Sequence, residues 1–398
     1  MTCAKRLLLL ALVVLLDAPH ALAEMIGGRN GEEAAAQPTA NGTPPEPVEL
    51  LIGVRADAAP FAIRAANAEE DAQGRYNWDD WSGYTVDICK NGVNKFIRWH
   101  PEEQINPFFV EIKASQRIDL LVTERGDKLD PALDMVCGAV SVTPERQARV
   151  PFSDVLFVDA RAAARIQEGG LFDFSNQPSP EDVLRVGYVR GSTAKESLAD
   201  VAAYDYPTHV EGLAALACRK LDLYVTDRSI LQDIINNPKN PVRLRLQENW
   251  QELVSEKCEN VYALYDDGTG QPPEATGDDD PPQLSGSGSA TSENADADSI
   301  NRSDDRHENE TDSGPQAAEH YLKQSRSFFS SLEILPNQLS LERYAIPVRV
   351  GHDGLLWAIN LAIAEHFRDG EGAFGTYFPG MQPTPLIRAL IFIRGGGQ

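Results

Sequence analysis

Leu133-Asp-Met-Val-Cys-Gly-Ala-Val-Ser-Val-Thr-Pro-Glu-Arg146 is the stretch of this sequence that decides the fold. Its first residues form an apolar run of strand length, which Gly138 closes. Thr143 and Pro144 then supply a capping side chain and a first-turn proline for a helix. A strand that passes through a short polar loop into a helix is the repeating unit of an α/β sheet. The stretch therefore predicts a loop at the carboxyl end of a strand, which is where such sheets bind ligands.

Strand-like and helical patterns alternate on both sides of this stretch. Residues 48–54 form an apolar run, and residues 84–98 place Val86, Cys89, Val93 and Phe96 at helical spacing. Further strands are predicted at residues 108–112, 155–158, 185–189, 221–226 and 344–350. Further helices are predicted at residues 194–198, 211–219, 228–235 and 355–367. This alternation predicts α/β sheets with mainly parallel strands.

The first residues have the pattern of a secretory signal. Lys5 and Arg6 precede an almost wholly apolar run from Leu7 to Leu16, and Ala21-Leu-Ala23 is a small-x-small cleavage site. The run is too short for a transmembrane helix, which needs roughly 20 apolar residues. We expect residues 1–23 to be a cleaved signal peptide, residues 24–47 to be a flexible leader, and the mature protein to be periplasmic.

The negative charge of the chain is concentrated in one segment. The net charge is −24, and the segment from Asp266 to Asp312 holds 14 Asp and Glu residues against two Arg. A tract of Asp, Ser, Gly, Asn and Pro cannot bury enough apolar surface to offset its ordering entropy, so we predict a disordered acidic insertion at about residues 265–315. No clustered Lys and Arg face is present in the sequence, which argues against nucleic acid as a partner.

Four cysteines follow the predicted signal peptide, namely Cys89, Cys137, Cys218 and Cys258. An oxidising compartment permits up to two disulfides, and four cysteines allow three connectivities among which the sequence does not choose. Ordinary buried thiols or one disulfide are the expectation. None of the four forms a CxxC pair, and no His lies at ligand spacing from them. We therefore expect neither a metal site nor a cofactor.

The order of several motifs resembles the polar amino-acid-binding proteins of ABC importers, which are periplasmic solute-binding protein family 3. Besides the stretch ending at Arg146, the resemblance rests on Ile52-Gly-Val-Arg-Ala-Asp-Ala-Ala-Pro-Phe61, Trp81-Ser-Gly-Tyr-Thr-Val-Asp-Ile88, Val150-Pro-Phe-Ser153, Val186-Gly-Tyr-Val-Arg-Gly-Ser-Thr193 and Leu221-Asp-Leu-Tyr-Val-Thr-Asp227. The family fold implies two α/β lobes joined by two hinge crossings. Lobe 1 is expected at residues 48–155 and lobe 2 at residues 156–345, and the chain would return to lobe 1 over residues 346–398.

The resemblance also implies a ligand site between the lobes. Arg146 would grip a ligand carboxylate with its planar guanidinium, and Asp227 would hold the ligand ammonium. Each has a structural alternative, which is a surface arginine for Arg146 and a helix N-cap for Asp227. The other candidate ligand-binding residues are Phe61, Gly138, Ala139, Ser141, Ser192 and Thr193.

These features predict a monomeric, non-catalytic protein that binds an amino acid or similar zwitterion and delivers it to membrane-embedded ABC importer subunits. An extracytoplasmic sensor or interaction module of the same fold is the alternative. A small-acid dehydratase is a further alternative, since some relatives of this fold dehydrate cyclic acids, but no His lies in the cleft motifs. The sequence does not identify the ligand.

Overall fold

The computed structural model describes residues 47–124, 132–167, 184–198, 201–255, 257–258 and 315–395. The predicted signal peptide, leader and acidic insertion lie outside these residues, apart from residues 47 and 315 at their edges. Among the described helices, none has the length and apolar character needed to cross a membrane.

The secondary structure alternates as the sequence predicts. The strands are β1 (Val48–Val54), β2 (Ile63–Arg64), β3 (Arg75–Tyr76), β4 (Trp81–Ser82), β5 (Ile105–Glu111), β6 (Met135–Val136), β7 (Phe157–Ile166), β8 (Arg185–Val189), β9 (Ala202–Tyr206), β10 (Leu223–Asp227), β11 (Leu332–Ile334) and β12 (Ser340–Tyr344). The helices are α1 (Tyr84–Trp99), α2 (Asp119–Val122), α3 (Pro144–Gln147), α4 (His209–Ala217), α5 (Arg228–Asn236), α6 (Pro241–Glu248), α7 (Pro315–Ser331), α8 (Asp353–Arg368), α9 (Glu371–Tyr377) and α10 (Pro385–Gly395).

Two separate sheets organise the chain into two lobes. The first has the order β3-β5-β1-β6, with β1 parallel to both of its neighbours, and helix α1 packs against α8 beside it. The second has the order β11-β7-β10-β8-β9, with β12 also paired to β7. In that sheet β8 runs parallel to β9 and β10, whereas β7 is antiparallel to its partners.

The chain crosses between the lobes at the paired strands β7 and β12. Their antiparallel register joins Phe157 to Tyr344, and Tyr344 also forms a bridge to Ser141 of the first lobe. A second bridge joins Phe152 to Pro347 on the first-lobe side. The predicted two-lobed α/β fold with hinge crossings is therefore confirmed.

The predicted strand at residues 344–350 is wrong in its position. Strand β12 ends at Tyr344, and beyond it only single bridges form, at Pro347 and Val348. Because Pro347 has no N–H, it cannot extend a regular ladder through this crossing.

Helix α7 is an element that sequence patterns did not predict. Its Phe328 and Phe329 are fully buried, and its Gln324 accepts a hydrogen bond of 3.1 Å from the indole of Trp250. Serines interrupt the apolar pattern of this segment. Tertiary contacts, rather than local helix propensity, therefore stabilise the helix.

The cysteines form two disulfides, Cys89–Cys137 and Cys218–Cys258, with Cα–Cα distances of 6.3 and 5.1 Å. The first links helix α1 to the residue that precedes Gly138. The structure thereby selects one of the three connectivities that the sequence left open.

Candidate functional site

A small cavity lies between the lobes, beside the carboxyl ends of strands from both sheets. Its first-lobe wall includes Arg55, Arg117, Ala139 and Ser141, and its second-lobe wall includes Arg161, Ser192, Thr193 and Asp227. The free volume is about 10 Å³, which is close to the space that one water molecule needs. Five of the eight predicted ligand-binding residues therefore meet at one place: Ala139, Ser141, Ser192, Thr193 and Asp227.

The two lobes touch at the edge of this cavity through Gly191. Its φ is +76°, and a Cβ built on it would lie 2.4 Å from the Cα of Ser115 in the first lobe. Real Cβ atoms do not approach backbone this closely, so only glycine fits at this contact. The structure therefore shows the lobes in a closed arrangement.

Two guanidiniums of the first lobe converge on the carbonyl oxygen of Gly191. Arg117 Nη2 donates to it at 3.0 Å, and Arg146 Nη2 donates to it at 3.2 Å. The sequence motifs predict a site role for Arg146 but none for Arg117. The position of Arg117, in the loop that follows strand β5, is the signal that could have identified it.

Arg117 is buried among neutral partners. Its side chain is 4% exposed, and its other donors bind the carbonyl oxygens of Ala114 at 2.9 Å and Ala139 at 2.7 Å. Burial, reinforced by the positive charges of Arg146 and Arg55, holds the pKa of Arg117 well below its usual value. Among the described residues, no carboxylate lies within ion-pair distance of this cation, so a ligand carboxylate would stabilise it.

Arg146 lies at the start of α3, where Thr143 Oγ1 accepts a hydrogen bond from its backbone N–H. The predicted capping role of Thr143 is thus confirmed. The guanidinium of Arg146 donates a hydrogen bond to the carbonyl of Ser141 at 2.8 Å. Burial lowers the pKa of Arg146, although the negative charges of Glu196 and Glu342 act in the opposite direction. Among the described residues, no carboxylate lies within ion-pair distance of this guanidinium, whose two hydrogen bonds go to carbonyl oxygens.

A buried ion pair forms the second-lobe side of the site. Arg161, on the hinge strand β7, lies 2.7 Å from Glu342 on β12 and is only 2% exposed. Thr193 Oγ1 accepts a hydrogen bond from Arg161 and donates to Glu342 at 3.0 Å, with Ser141 Oγ 3.3 Å away across the gap. Neither Arg161 nor Glu342 was predicted, because the register of β7 and β12 that joins them is not visible in the local sequence.

Asp227 occupies the N-cap position of α5 but does not cap it with its side chain. The carboxylate of Asp159, on β7, instead accepts the N–H of Ser229 in the first turn of α5, at 3.1 Å. The capping alternative for Asp227 is therefore wrong in this structure. Its carboxylate is left on the cavity wall, where Arg161 and Arg117 contribute favourable electrostatic interactions.

Asp159, Asp227 and Tyr344 form a small acidic cluster at the hinge. The hydroxyl of Tyr344 lies 3.5 Å from Asp159 Oδ2 and is hydrogen-bonded to Asp227. Burial, followed by repulsion from Asp227, raises the pKa of Asp159 to about 7, and burial also raises the pKa of Asp227. Two close buried carboxylates hold a proton between them more readily than they carry two charges.

Replacing Asp159 should reveal this proton in the pH dependence of stability. Between its ordinary pKa of 3.8 and its folded pKa of about 7, Asp159 keeps a proton that the unfolded chain releases, so its contribution to the free energy of unfolding falls as the pH rises. We therefore expect the Tm of Asp159→Asn minus the Tm of the original protein to increase as the pH rises from 4 to 7. Calorimetry measures both Tm values. Asp119→Asn, at an exposed carboxylate, is the control, and parallel curves for Asp159→Asn and the original protein would contradict the assignment.

A further contact joins the lobes next to the cavity. Asp57 of the first lobe accepts the backbone N–H of His209, at the first residue of α4 in the second lobe. Burial would raise the pKa of Asp57, but Arg55 and His209 together lower it to about 2. Burial lowers the pKa of the His209 ring to about 4, so this ring is neutral at pH 7.

The other predicted residues lie near the cavity without lining it. Phe61 is fully buried and packs edge-on against Phe157 and Tyr344, with centroid distances of 5.0 and 5.2 Å, in an aromatic cluster of the core. Gly138 is buried, yet a Cβ on it would meet no atom within 4 Å. No neighbouring group comes close enough to Gly138 for a side chain to be excluded at this position.

The predicted helix after Ser192 is a single 3₁₀ turn, Thr193–Ser197. Ser192 caps it by accepting the N–H of Ala194 at 3.4 Å. A turn this short carries little dipole, so it offers little of the attraction that a helix N-terminus has for an anion. Within the described residues, no group of three or more His, Cys, Asp or Glu side chains could hold a metal ion.

The structure is a two-lobed α/β protein with a cleft between its lobes, and sequence comparison finds relatives among amino-acid-binding proteins. The chain is similar to the ABC transporter glutamine-binding protein GlnH of Bacillus subtilis (strain 168), with 23% identity over 194 residues, covering 48% of this chain and 63% of the relative. It is also similar to a glutamine-binding protein of Geobacillus stearothermophilus, with 22% identity over 196 residues, covering 48% and 66%. The match spans slightly less than two thirds of the length of each relative. These similarities confirm the resemblance to the polar amino-acid-binding proteins of ABC transporters.

No family model matches the chain. Among solved structures, the substrate-binding protein of an amino acid ABC transporter has a TM-score of 0.46 and 14% identity, covering 83% of this chain and 99% of that one. An ancestral amino acid-binding protein, a precursor of cyclohexadienyl dehydratase, has a TM-score of 0.45 and 15% identity, covering 83% and 95%. The fold assignment rests on the sheets and hinge strands of this chain.

Proposed function

We propose that this protein captures an amino acid outside the cytoplasm by closing its two lobes, has no catalytic activity, and delivers the ligand to an ABC importer. The observation that carries the proposal is the placement of opposite charges across one cleft. The guanidiniums of Arg117 and Arg146 come from the first lobe, and the carboxylate of Asp227 comes from the second. A zwitterion bridging the lobes needs these two kinds of group.

Arg146 would bind the ligand's carboxylate in place of the Gly191 carbonyl, which it shares with Arg117 in the closed structure. A guanidinium donates more strongly to a charged oxygen than to a neutral one, and it can bind both carboxylate oxygens. Ser141 and Thr193 add hydroxyls from opposite walls. Asp227 would receive the ammonium.

The free space in the closed cleft is about 10 Å³, so an amino acid enters only when the lobes separate, and side chains of the cleft walls must move to make room for it when the lobes close. The paired strands β7 and β12 are the natural hinge, since both crossings leave the second sheet there. A ligand that touches both walls stabilises the closed state by its differential affinity for that state. An importer would then distinguish loaded from empty protein by shape.

A thermal-shift screen against the common amino acids tests this function. A ligand that binds only the folded protein at a hundred times its Kd adds about 2.7 kcal/mol to the free energy of unfolding, so at least one amino acid should raise the Tm by several degrees. Calorimetric titration of each hit should give one site per chain. If no amino acid raised the Tm at millimolar concentration, the proposal would be overturned.

A further inference from the structure

We propose that the ligand is an acidic amino acid, with two carboxylates and one ammonium, rather than a neutral zwitterion. The inference deepens the proposed function and rests on it. It follows from the balance of buried charges around the cleft, in which two arginines lack an acidic partner and the hinge carboxylates offset only one of them.

Two of the four arginines at the site are already neutralised by neighbours. Arg55 lies 2.8 Å from Asp57, and Arg161 lies 2.7 Å from Glu342. These pairs leave no net charge for a ligand to balance.

Arg117 and Arg146 are the other two. Their donors bind only carbonyl oxygens, those of Ala114, Ala139, Ser141 and Gly191. The nearby acids Glu145 and Glu196 are exposed at the surface, where solvent screens their effect. The two guanidiniums therefore present about two positive charges to the cleft.

The hinge cluster supplies about one negative charge in return. Asp227 lines the cavity wall, whereas Asp159 does not, and the carboxylate of Asp159 accepts the backbone N–H groups of Ala160 at 2.7 Å and Ser229 at 3.1 Å. His209, the remaining titratable group on the cavity wall, is neutral because its pKa is about 4. One wall carboxylate facing two guanidiniums leaves the site with one uncompensated positive charge.

A ligand with a net charge of −1 removes this imbalance, whereas a neutral zwitterion leaves a buried cation unpaired, which is costly. Arg161 offers a further donor, because its Nε is buried and has no hydrogen-bond partner among the described residues. The second carboxylate thus has two available contacts, Arg117 and the Nε of Arg161.

Pairs of ligands that differ only in charge test this inference on the unaltered protein. We expect calorimetric titration at pH 7 to show glutamate binding at least tenfold more tightly than glutamine, or aspartate at least tenfold more tightly than asparagine. Equal or tighter binding of the amides, or preference for a basic amino acid, would overturn the acidic ligand and leave the proposed function intact. Absence of binding by every amino acid would overturn both.

Arg117→Met provides a second test, because it removes the charge and keeps much of the side-chain volume. We expect it to reduce the preference for the acid over the amide at least tenfold, while the amide's own Kd changes less. Arg149→Met, at an exposed arginine paired with Asp119, should keep the full preference. An unchanged preference in a folded Arg117→Met would contradict the assignment, and if this variant fails to fold, the ligand pairs decide alone.

Discussion

Arg146→Ala should leave a folded protein that no longer responds to its amino acid. In the closed structure the guanidinium binds only the carbonyl oxygens of Ser141 and Gly191, so removing it should lower the free energy of unfolding by about 1 kcal/mol or less. The ligand carboxylate, however, would lose its charged donor, and we expect affinity to fall at least about a hundredfold, or about 3 kcal/mol. Thermal-shift titration and circular dichroism measure the two effects separately.

Arg149→Ala is the matched control for this experiment. Arg149 lies three residues further along the same segment and pairs with Asp119 at the surface, 2.8 Å away. We expect it to retain the complete ligand response. If Arg146→Ala behaved as this control does, Arg146 would be removed from the site.

Gly191→Ala should prevent the lobes from closing without unfolding either of them. The added Cβ would lie 2.4 Å from the Cα and 2.6 Å from the backbone nitrogen of Ser115, neither of which can move aside as a side chain can. The contact exists only between the lobes, so each sheet should fold normally. We expect ligand affinity to fall at least about a hundredfold, and small-angle scattering to show no compaction when ligand is added.

The backbone strain of this substitution needs its own control. Gly74 has nearly the same φ, +73°, but a Cβ there would meet no atom within 4 Å. Gly74→Ala should therefore show only the strain of a left-handed backbone, about 1–2 kcal/mol, with ligand binding unchanged. Full affinity in Gly191→Ala would show that the lobes need not meet at Gly191.

Local patterns were sufficient to predict the elements that carry their own signals. Helix α1 follows from the spacing of Val86, Cys89 and Val93, all of which are buried. The start of α3 follows from Thr143 and Pro144, and strand β10 leading to Asp227 follows from an apolar run before a polar residue. The two-lobed architecture came from the order of such motifs along the chain.

The contacts that complete the site depend on pairings between distant residues. Arg161 meets Glu342 only because β7 and β12 pair in one register, and Arg117 reaches Gly191 only when the lobes close. Phe61 follows Pro60 in a motif that indicated a pocket wall, but packing placed it in an aromatic cluster. The periodicity of the sequence does not determine strand register, lobe closure or the packing of a particular aromatic side chain.

The capping of α5 by Asp159 has a consequence for how such a protein can change. Because the amide of Ser229 is satisfied from a neighbouring strand, the residue at position 227 is not needed to keep the helix wound. Replacing Asp227 therefore leaves this cap of α5 in place. If Asp227 binds the ligand as proposed, ligand recognition and the capping of α5 depend on different residues.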